Sequence, residues 1–228
     1  MRSYIKFNIG NNMKKILIVF LTLFFSTTSY ADISYGITAS ITQIDADGSE
    51  TEGGEKTTAS ADNTVLIPSI FVEKSLGAIT VGLDYIPMDA DVSNKTKSRN
   101  DTETSVSGTA ATTTTARTNK AQAELANHIT LYANYDLTDT MYLKAGIASV
   151  ELNTLEDLGT GSKYGNEDIY GGVFGVGMRS DGGLRIEAVY TDYEDVSITS
   201  STARSGVTAN NKIEADLDTF AIRVAYSF

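Results

Sequence analysis

The sequence predicts an all-β fold: an antiparallel, eight-stranded, up-and-down transmembrane β-barrel. Three observations predict it. They are an export signal at the N-terminus, eight segments in which apolar and polar residues alternate, and connections that are long and short in strict turn. The 228 residues suffice for one substantial domain, and the absence of Cys excludes disulfides and thiolate metal sites.

The N-terminus has the parts of a secretory signal peptide. Met13 is followed by two lysines, by the apolar run ILIVFLTLFF (16–25) and by small residues that end at Ala31. The apolar run is about half of the ~20 residues that a transmembrane helix needs. We therefore expect Met13 to be the translation start, residues 1–31 to be removed on export through the Sec pathway, and the barrel to occupy residues 32–228.

Charge and hydropathy exclude two classes of protein. The formal net charge is −11, and the predicted signal carries basic residues but no acid, so the mature chain is more acidic still. Nucleic-acid binding depends on basic patches, which makes a nucleic-acid partner unexpected. No segment after residue 31 could cross a membrane as a helix. A secreted soluble β-sandwich or a membrane-spanning barrel is left, because a closed barrel satisfies its backbone in lipid.

The alternating segments each predict a strand with one apolar and one polar face. In the second of them the register is ambiguous, because Ile67 and Phe71 lie opposite the face of Leu66 and Ile70. The eight segments are DISYGITASITQI (32–44), VLIPSIFVEK (65–74), AITVGLDYIP (78–87), HITLYANYDL (128–137), MYLKAGIAS (141–149), IYGGVFGVGMR (169–179), LRIEAVYTDY (184–193) and TFAIRVAYSF (219–228).

The connections sort by length onto the two ends of the predicted barrel, as in transmembrane barrels and unlike soluble sandwiches. The long ones are 45–63, 88–123, 151–167 and 195–212, and the short ones are 73–77, 138–140 and 180–183. Residues 107–120 are of low complexity and rich in Thr. Two aromatic girdles are predicted from Tyr35, Tyr135, Tyr226 and Phe228 at the short-turn rim and from Tyr85, Tyr170 and Tyr190 at the loop rim.

With these features the chain resembles the small OmpA/OmpX-like outer-membrane β-barrels of Gram-negative bacteria, over residues 32–228. The most specific piece is the C-terminal FAIRVAYSF, with aromatics at the last and third-last positions, Phe228 and Tyr226. The resemblance implies an outer-membrane location, a monomer surrounded by lipid and lipopolysaccharide, and a C-terminal strand in which Tyr226 and Phe228 form a signal for the barrel-assembly machinery.

The inward positions of the predicted strands carry a charge network. Charged groups away from bulk water must be paired, and eight strands leave a bore that side chains can fill. A structural plug is therefore predicted, with the selectivity filter of a narrow pore as the alternative. The network comprises Asp84, Lys144, Arg179, Arg185, Glu187 and Arg223, with Glu73 and Asp136 as further acids. Room for long interior side chains is expected beside Gly36, Gly82, Gly146, Gly171, Gly175 and Gly177.

No catalytic, cofactor or metal site is expected. His128, the single histidine, is predicted to face inward beside Thr130. This H-x-T spacing is similar to the H-x-S of lipid A deacylase barrels, but an orienting acid and an oxyanion site cannot be placed. The acidic segment 45–55 departs from the EF-hand pattern because Gly48 comes too early, so it is expected to be a solvated loop. Loose bridging of Ca²⁺ or Mg²⁺ to lipid headgroups is the alternative for this segment.

The sequence thus predicts a non-enzymatic outer-membrane barrel. It would stabilise the envelope or present long acidic and Thr-rich extracellular loops to partners such as surfaces, host factors or phage. The first alternative is a narrow, porin-like channel for small solutes. A lipid-modifying enzyme that uses His128 is a second alternative, and the secreted β-sandwich is a third.

Overall fold

The computed structural model describes residues 33–52, 55–93, 97–107, 111–155, 164–200 and 212–228. The predicted signal peptide, residues 1–31, lies outside the described residues. Within the described ranges, no helix is long and apolar enough to cross a membrane. The strands are β1 (Ile33–Glu52), β2 (Glu55–Leu76), β3 (Ile79–Tyr85), β4 (Ala90–Asp91), β5 (Lys97–Ser107), β6 (Ala111–Ala121), β7 (Ala123–Asp136), β8 (Met141–Thr154), β9 (Glu167–Arg179), β10 (Leu184–Tyr193), β11 (Val196–Thr199) and β12 (Lys212–Ser227).

Eight strands form one closed antiparallel sheet. They follow the order β1, β2, β3, β7, β8, β9, β10 and β12, and β12 pairs with β1 from Gly36↔Ser227 to Thr51↔Lys212. Closure leaves neither of these two strands with an open backbone edge. The predicted all-β, antiparallel, eight-stranded up-and-down barrel is confirmed, and the soluble β-sandwich is wrong.

Tight turns join the strands at one end of the barrel. The β2–β3 turn contains Gly77 at φ 75°, and the β9–β10 turn contains Gly183 at φ 84°. Both backbones lie in the left-handed region, where a residue without a Cβ is favoured. The Gly183 amide also donates to the Ser180 carbonyl at 3.2 Å. These turns lie where the sequence predicts the short connections.

At the opposite end the strands continue well into the segments predicted as long connections. Residues 45–52 belong to β1 and residues 55–63 to β2, and the two are paired up to Glu52↔Glu55. The backbone ladder continues here because its hydrogen bonds do not require apolar side chains. Within 88–123 the structure also contains β4 and a separate β5–β6 hairpin, and within 195–212 it contains β11.

The outward face of the barrel carries a belt of exposed apolar side chains. Along β12 and the residue that follows it, this belt runs from Phe220, 45% exposed, to Phe228, 62% exposed. The stretch has the ~9–11 residues that a tilted strand needs to cross a bilayer. In the second predicted segment Leu66 is outward and Ile67 is buried, which settles its register. The belt is the lipid-facing surface of a membrane-spanning barrel.

The barrel interior consists of two layers. The layer nearer the tight turns is polar and charged, with Glu73, Asp84, Lys144 and Glu187 all buried. The layer nearer the long connections is apolar. Its buried members are Ile44, Val92, Leu125, Ala148, Val150, Leu152, Tyr164, Ile169, Val173, Val189, Tyr193, Val196, Ile198 and Leu217. The candidate site is assembled at and around the boundary between these layers.

Candidate functional site

The polar layer contains two matching rows in which a tyrosine reaches a glutamate across a glycine. In the first row Tyr132 of β7 lies opposite Gly82 of β3, which lies opposite Glu73 of β2. The Tyr132 hydroxyl donates to Glu73 Oε1 at 2.8 Å. Because Gly82 has no Cβ, the tyrosine ring can lie flat against the wall between the two other strands. We call this arrangement a Tyr–Gly–Glu row.

The second Tyr–Gly–Glu row lies on the other side of the barrel. Tyr142 of β8 lies opposite Gly177 of β9, which lies opposite Glu187 of β10. The Tyr142 hydroxyl donates to Glu187 Oε1 at 2.6 Å. A Cβ built on Gly177 would overlap the Tyr142 ring, as one on Gly82 would overlap the ring of Tyr132. Each glycine is therefore needed for the close approach of its tyrosine.

Basic side chains complete both rows across the lumen. Lys144 Nζ lies 2.7 Å from Glu187 Oε1, and both side chains are 3% exposed. Arg185 lies 2.7 Å from Glu73 Oε2. Arg223 pairs with Asp84, and its Nε lies 3.5 Å from Glu187 Oε2. The buried carboxylates thus each have a cationic partner, as burial of charge requires.

Five of the six residues predicted for the charge network are brought together in this layer, and the sixth lies at its edge with a different acidic partner. Arg179 pairs instead with Asp136, and its guanidinium lies 4.8 Å from the centre of the Tyr142 ring. Both side chains of this pair are about one-quarter exposed, which places them near the tight-turn mouth of the lumen. The arrangement can hold strands together and fill the bore, and the described part of the chain shows no group of three or more ligands that could hold a metal ion.

His128 lies in the interior at the boundary between the polar and apolar layers. Its Nε2 is 2.9 Å from the Tyr193 hydroxyl, and its buried Nδ1 has no hydrogen-bond partner among the described residues. A small cavity of about 70 Å³ is lined by His128 together with Thr130, Asp84 and Arg223. The position agrees with the inward direction predicted from the sequence.

A second, larger cavity lies in the apolar layer and is absent from the sequence-based expectations. It measures about 200 Å³, and its wall is almost wholly apolar. Most of its residues fall in segments that the sequence predicts as connections, where alanine, glycine and threonine give little contrast between faces. Its other residues lie between the predicted connection 195–212 and the predicted strand 219–228. The sequence does contain a signal for a strand here, because Ile213, Ala215 and Leu217 alternate with acidic residues.

A row of four aspartates crosses the outer face of the barrel directly beyond the apolar belt. The pairs Asp192↔Asp218, Asp218↔Asp45 and Asp45↔Asp62 stand opposite each other on β10, β12, β1 and β2. Like charges that are directly opposed on neighbouring strands repel. Partial burial and the nearby Asp45 raise the pKa of Asp218 above its ordinary value, which is the expected sign for this repulsion. In the structure, Asp45 of the segment predicted as a solvated loop (45–55) belongs to strand β1.

Replacing Asp218 by Asn should stabilise the barrel at pH 7 by about 0.2–1 kcal/mol, the range for a cross-strand charge pair. Because the pKa is raised by folding, the destabilisation appears as pH rises from the unfolded-state pKa through the folded-state pKa. The gain from Asn should therefore disappear below about pH 3.5, where aspartates are protonated in both states. Urea unfolding in lipid vesicles at several pH values measures this, with Asp139→Asn in a tight turn as control. A gain that does not depend on pH would contradict the charge explanation.

Comparisons with known proteins give structural similarity only. No protein-family model matches the chain, and no similar curated protein is found. The outer membrane protease OmpT of Escherichia coli is 12% identical, with a TM-score of 0.47 and coverage of 89% of this chain and 99% of that one. Neisserial surface protein A is 12% identical, with a TM-score of 0.42 and coverage of 85% and 97%. The outer membrane protein AlkL is 14% identical, with a TM-score of 0.47 and coverage of 89% and 93%.

At these identities the likeness concerns the fold alone. The similar structures are outer-membrane β-barrels that differ in role, since one is a protease and another a surface protein. The finer resemblance to OmpA/OmpX-like proteins rests on the C-terminal residues and the loop order of the sequence. The chain is a closed, antiparallel, eight-stranded β-barrel.

Proposed function

We propose that this chain is a non-enzymatic outer-membrane protein, a closed barrel that carries a rigid extracellular extension for envelope stability or contact with surface partners. One observation carries this proposal: the polar layer fills the bore, while β1 and β2 continue beyond the lipid-facing belt. Export through the Sec pathway with removal of residues 1–31, and a monomeric state within lipid and lipopolysaccharide, belong to the same proposal.

The filled bore favours this function over the channel. Tyr142 is 0% exposed, Glu73 is 1% exposed and Asp84 is 2% exposed, so these side chains close the bore. The space beside Asp84 is limited to the small cavity of about 70 Å³. A conducting filter needs charged groups that line an open path and release the ion again. Here the carboxylates are engaged by lysine, arginine and tyrosine, which supports the role of a plug.

The extension favours contact with partners outside the membrane. On β1 the lipid-facing belt ends at Ile41, and the strand continues to Glu52. At ~3.3 Å per residue, this part of the hairpin projects by tens of ångströms along the strand direction. Because the backbone of the paired strands is already ordered, binding of a partner costs little conformational entropy. The connections at its end are acidic or rich in Thr and polar throughout.

The chemistry of His128 supports the non-enzymatic proposal. Its Nε2 is engaged by the Tyr193 hydroxyl, and its ring faces the lumen instead of the lipid in which an acyl chain would lie. If His128→Ala left the lipid composition of the outer leaflet unchanged, the proposal would stand. A change in headgroup or acyl content would replace it with the lipid-modifying enzyme.

The purified barrel is expected to show no single-channel steps in planar bilayers. A variant with both Tyr132→Ala and Tyr142→Ala, which empties the space beside the glutamates, serves as the conducting control. Steps from the unchanged protein that are lost in Arg223→Ser would support the channel instead.

The orientation of the barrel can be tested in cells. An epitope inserted between Glu52 and Glu55 should be labelled on intact bacteria, whereas one inserted after Asp181 should require permeabilised cells. Reversed labelling would refute the orientation.

We assign Tyr226 and Phe228 to recognition by the barrel-assembly machinery. Both rings are exposed, they pack edge to face at 5.2 Å between centroids, and the Phe228 amide donates to the Tyr35 carbonyl at 2.8 Å. Deleting Phe228 should lower the amount of assembled, heat-modifiable barrel in cells while leaving refolding in vitro nearly unchanged. The control is Phe220→Ala at the other rim. Equal assembly of both variants would leave these residues only a structural role.

A further inference from the structure

The apolar cavity of about 200 Å³ in the extracellular half of the barrel is a site that the proposed function does not use. We propose that it binds a small neutral hydrophobic molecule, such as an alkylbenzene or a short alkane. The site lies above the filled polar layer, so it would be loaded from the extracellular end. Binding there goes beyond the role of a scaffold and does not depend on it.

The wall of the cavity has two kinds of surface. Bulky branched side chains come from β8, β11 and β12, among them Leu152, Ile198 and Ile213. Small residues face them from β1 and β2, among them Ala46 and Ala61. Because protein interiors are normally close-packed, the small residues are what leaves this volume open. The result is a pocket whose surface is mainly apolar, with Ser60, Ser93, Gln122 and Thr154 as its polar lining residues.

The size of the cavity sets the class of ligand. An apolar protein cavity of ~150 Å³ accepts benzene, so a cavity of about 200 Å³ has room for a ring with one or two small alkyl groups. Transfer of such a molecule from water to apolar walls is favourable in proportion to the area removed from water. A charged or strongly polar ligand would be left without partners on most of the wall.

The connecting segments at this end of the barrel are poorly suited to fill the cavity themselves. In residues 156–163 the single large apolar residue is Leu158, and in residues 201–211 it is Val207. The remaining residues are chiefly Gly, Ser, Thr, Asn, Asp, Glu and basic ones. Such segments gain little by burial in an apolar pocket. An external apolar molecule is therefore the occupant that matches the walls.

The test titrates p-xylene into the full barrel in lipid nanodiscs and follows methyl resonances by NMR. The methyls of Ile198 and Ile213 line the cavity, whereas those of Ile186 and Ile222 face lipid and report simple partitioning. The cavity methyls should shift and saturate, while the lipid-facing methyls should drift linearly with concentration. A linear response at both sets, or no response at the cavity set, would overturn the proposal.

Cavity-filling variants make the test specific. Ala61→Leu should abolish the saturable shift, whereas Ala188→Leu, the same change on the lipid-facing side of β10, should leave it intact. Ala215→Leu fills the cavity from β12 and replaces the first variant if that one does not fold. Unaltered saturation in a folded filling variant would overturn the site. Contacts from Leu158 or Val207 to the cavity methyls without ligand would identify the chain itself as the occupant and overturn it too.

Discussion

Replacing Glu187 by Gln is expected to destabilise the barrel by about 3–5 kcal/mol, the cost of breaking a buried ion pair on one side. The carboxylate accepts from the Tyr142 hydroxyl at 2.6 Å and from Lys144 at 2.8 Å, and it lies 3.5 Å from Arg223. The amide keeps the shape but removes the charge, so buried Lys144 loses its counter-charge. Urea unfolding in lipid vesicles, followed by far-UV circular dichroism and by gel mobility, measures the loss.

Two further variants separate this effect from a general loss of acid. Asp168→Asn on β9 removes an exposed carboxylate and should change stability by no more than about 0.5 kcal/mol. The double variant Glu187→Gln with Lys144→Met should recover part of the loss, because it leaves no unpaired charge between β8 and β10. If Glu187→Gln were as stable as the unchanged barrel, the Lys144–Glu187 pair would contribute nothing to stability.

Gly177→Ala should cost about 2–4 kcal/mol, although alanine adds a single methyl group. The new Cβ would overlap the Tyr142 ring, so the ring must leave the wall and its hydroxyl must leave Glu187. The cost combines overpacking, typically about 1–3 kcal/mol, with a buried carboxylate that loses a donor. Unfolding in vesicles gives the magnitude, and loss of the Tyr142–Glu187 hydrogen bond is visible from the hydroxyl proton by NMR.

The same strand supplies the control for this prediction. Gly172→Ala introduces the same methyl group on the lipid-facing side of β9, where its nearest neighbour is the exposed ring of Phe174 at 3.3 Å. It should be nearly neutral. In a Tyr142→Leu background the cost of Gly177→Ala should fall sharply, because no ring has to move. An equal cost in both backgrounds would mean that the methyl group strains the backbone instead.

The strand faces were predictable from sequence because the side-chain period is two. Counting back from Phe228 places Arg223 inward, and the same rule places Glu187 and Lys144 inward on their own strands. The ion pairs and hydrogen bonds across the lumen were not predictable, because they depend on how far each strand is shifted against its neighbours. The pairing of Glu73 with Arg185 joins strands that are far apart in sequence, and no local pattern encodes it.

The half of the fold at the end of the long connections was harder to predict for a different reason. Alternation is visible only where the two faces differ in polarity, and from Asp45 to Asn63 small and polar residues occupy both faces. The strands persist there chiefly through backbone pairing, to which side-chain contacts such as the Lys56–Glu214 ion pair add little apolar contrast between faces. The aspartate row was hidden for the same reason as the ion pairs, since Asp192, Asp218, Asp45 and Asp62 become neighbours only once the register is known.

The two Tyr–Gly–Glu rows also have a mechanical consequence. Each row ties a strand to its second neighbour, in addition to the backbone bonds that join adjacent strands. Flattening the circular cross-section at that height would slide these strands and break bonds to buried glutamates. Above it, the interior is held mainly by methyl groups and aromatic rings, whose packing involves far fewer buried ionic contacts. The cross-section of the barrel should therefore resist flattening at the height of the two rows and deform more easily at the rim of the long connections.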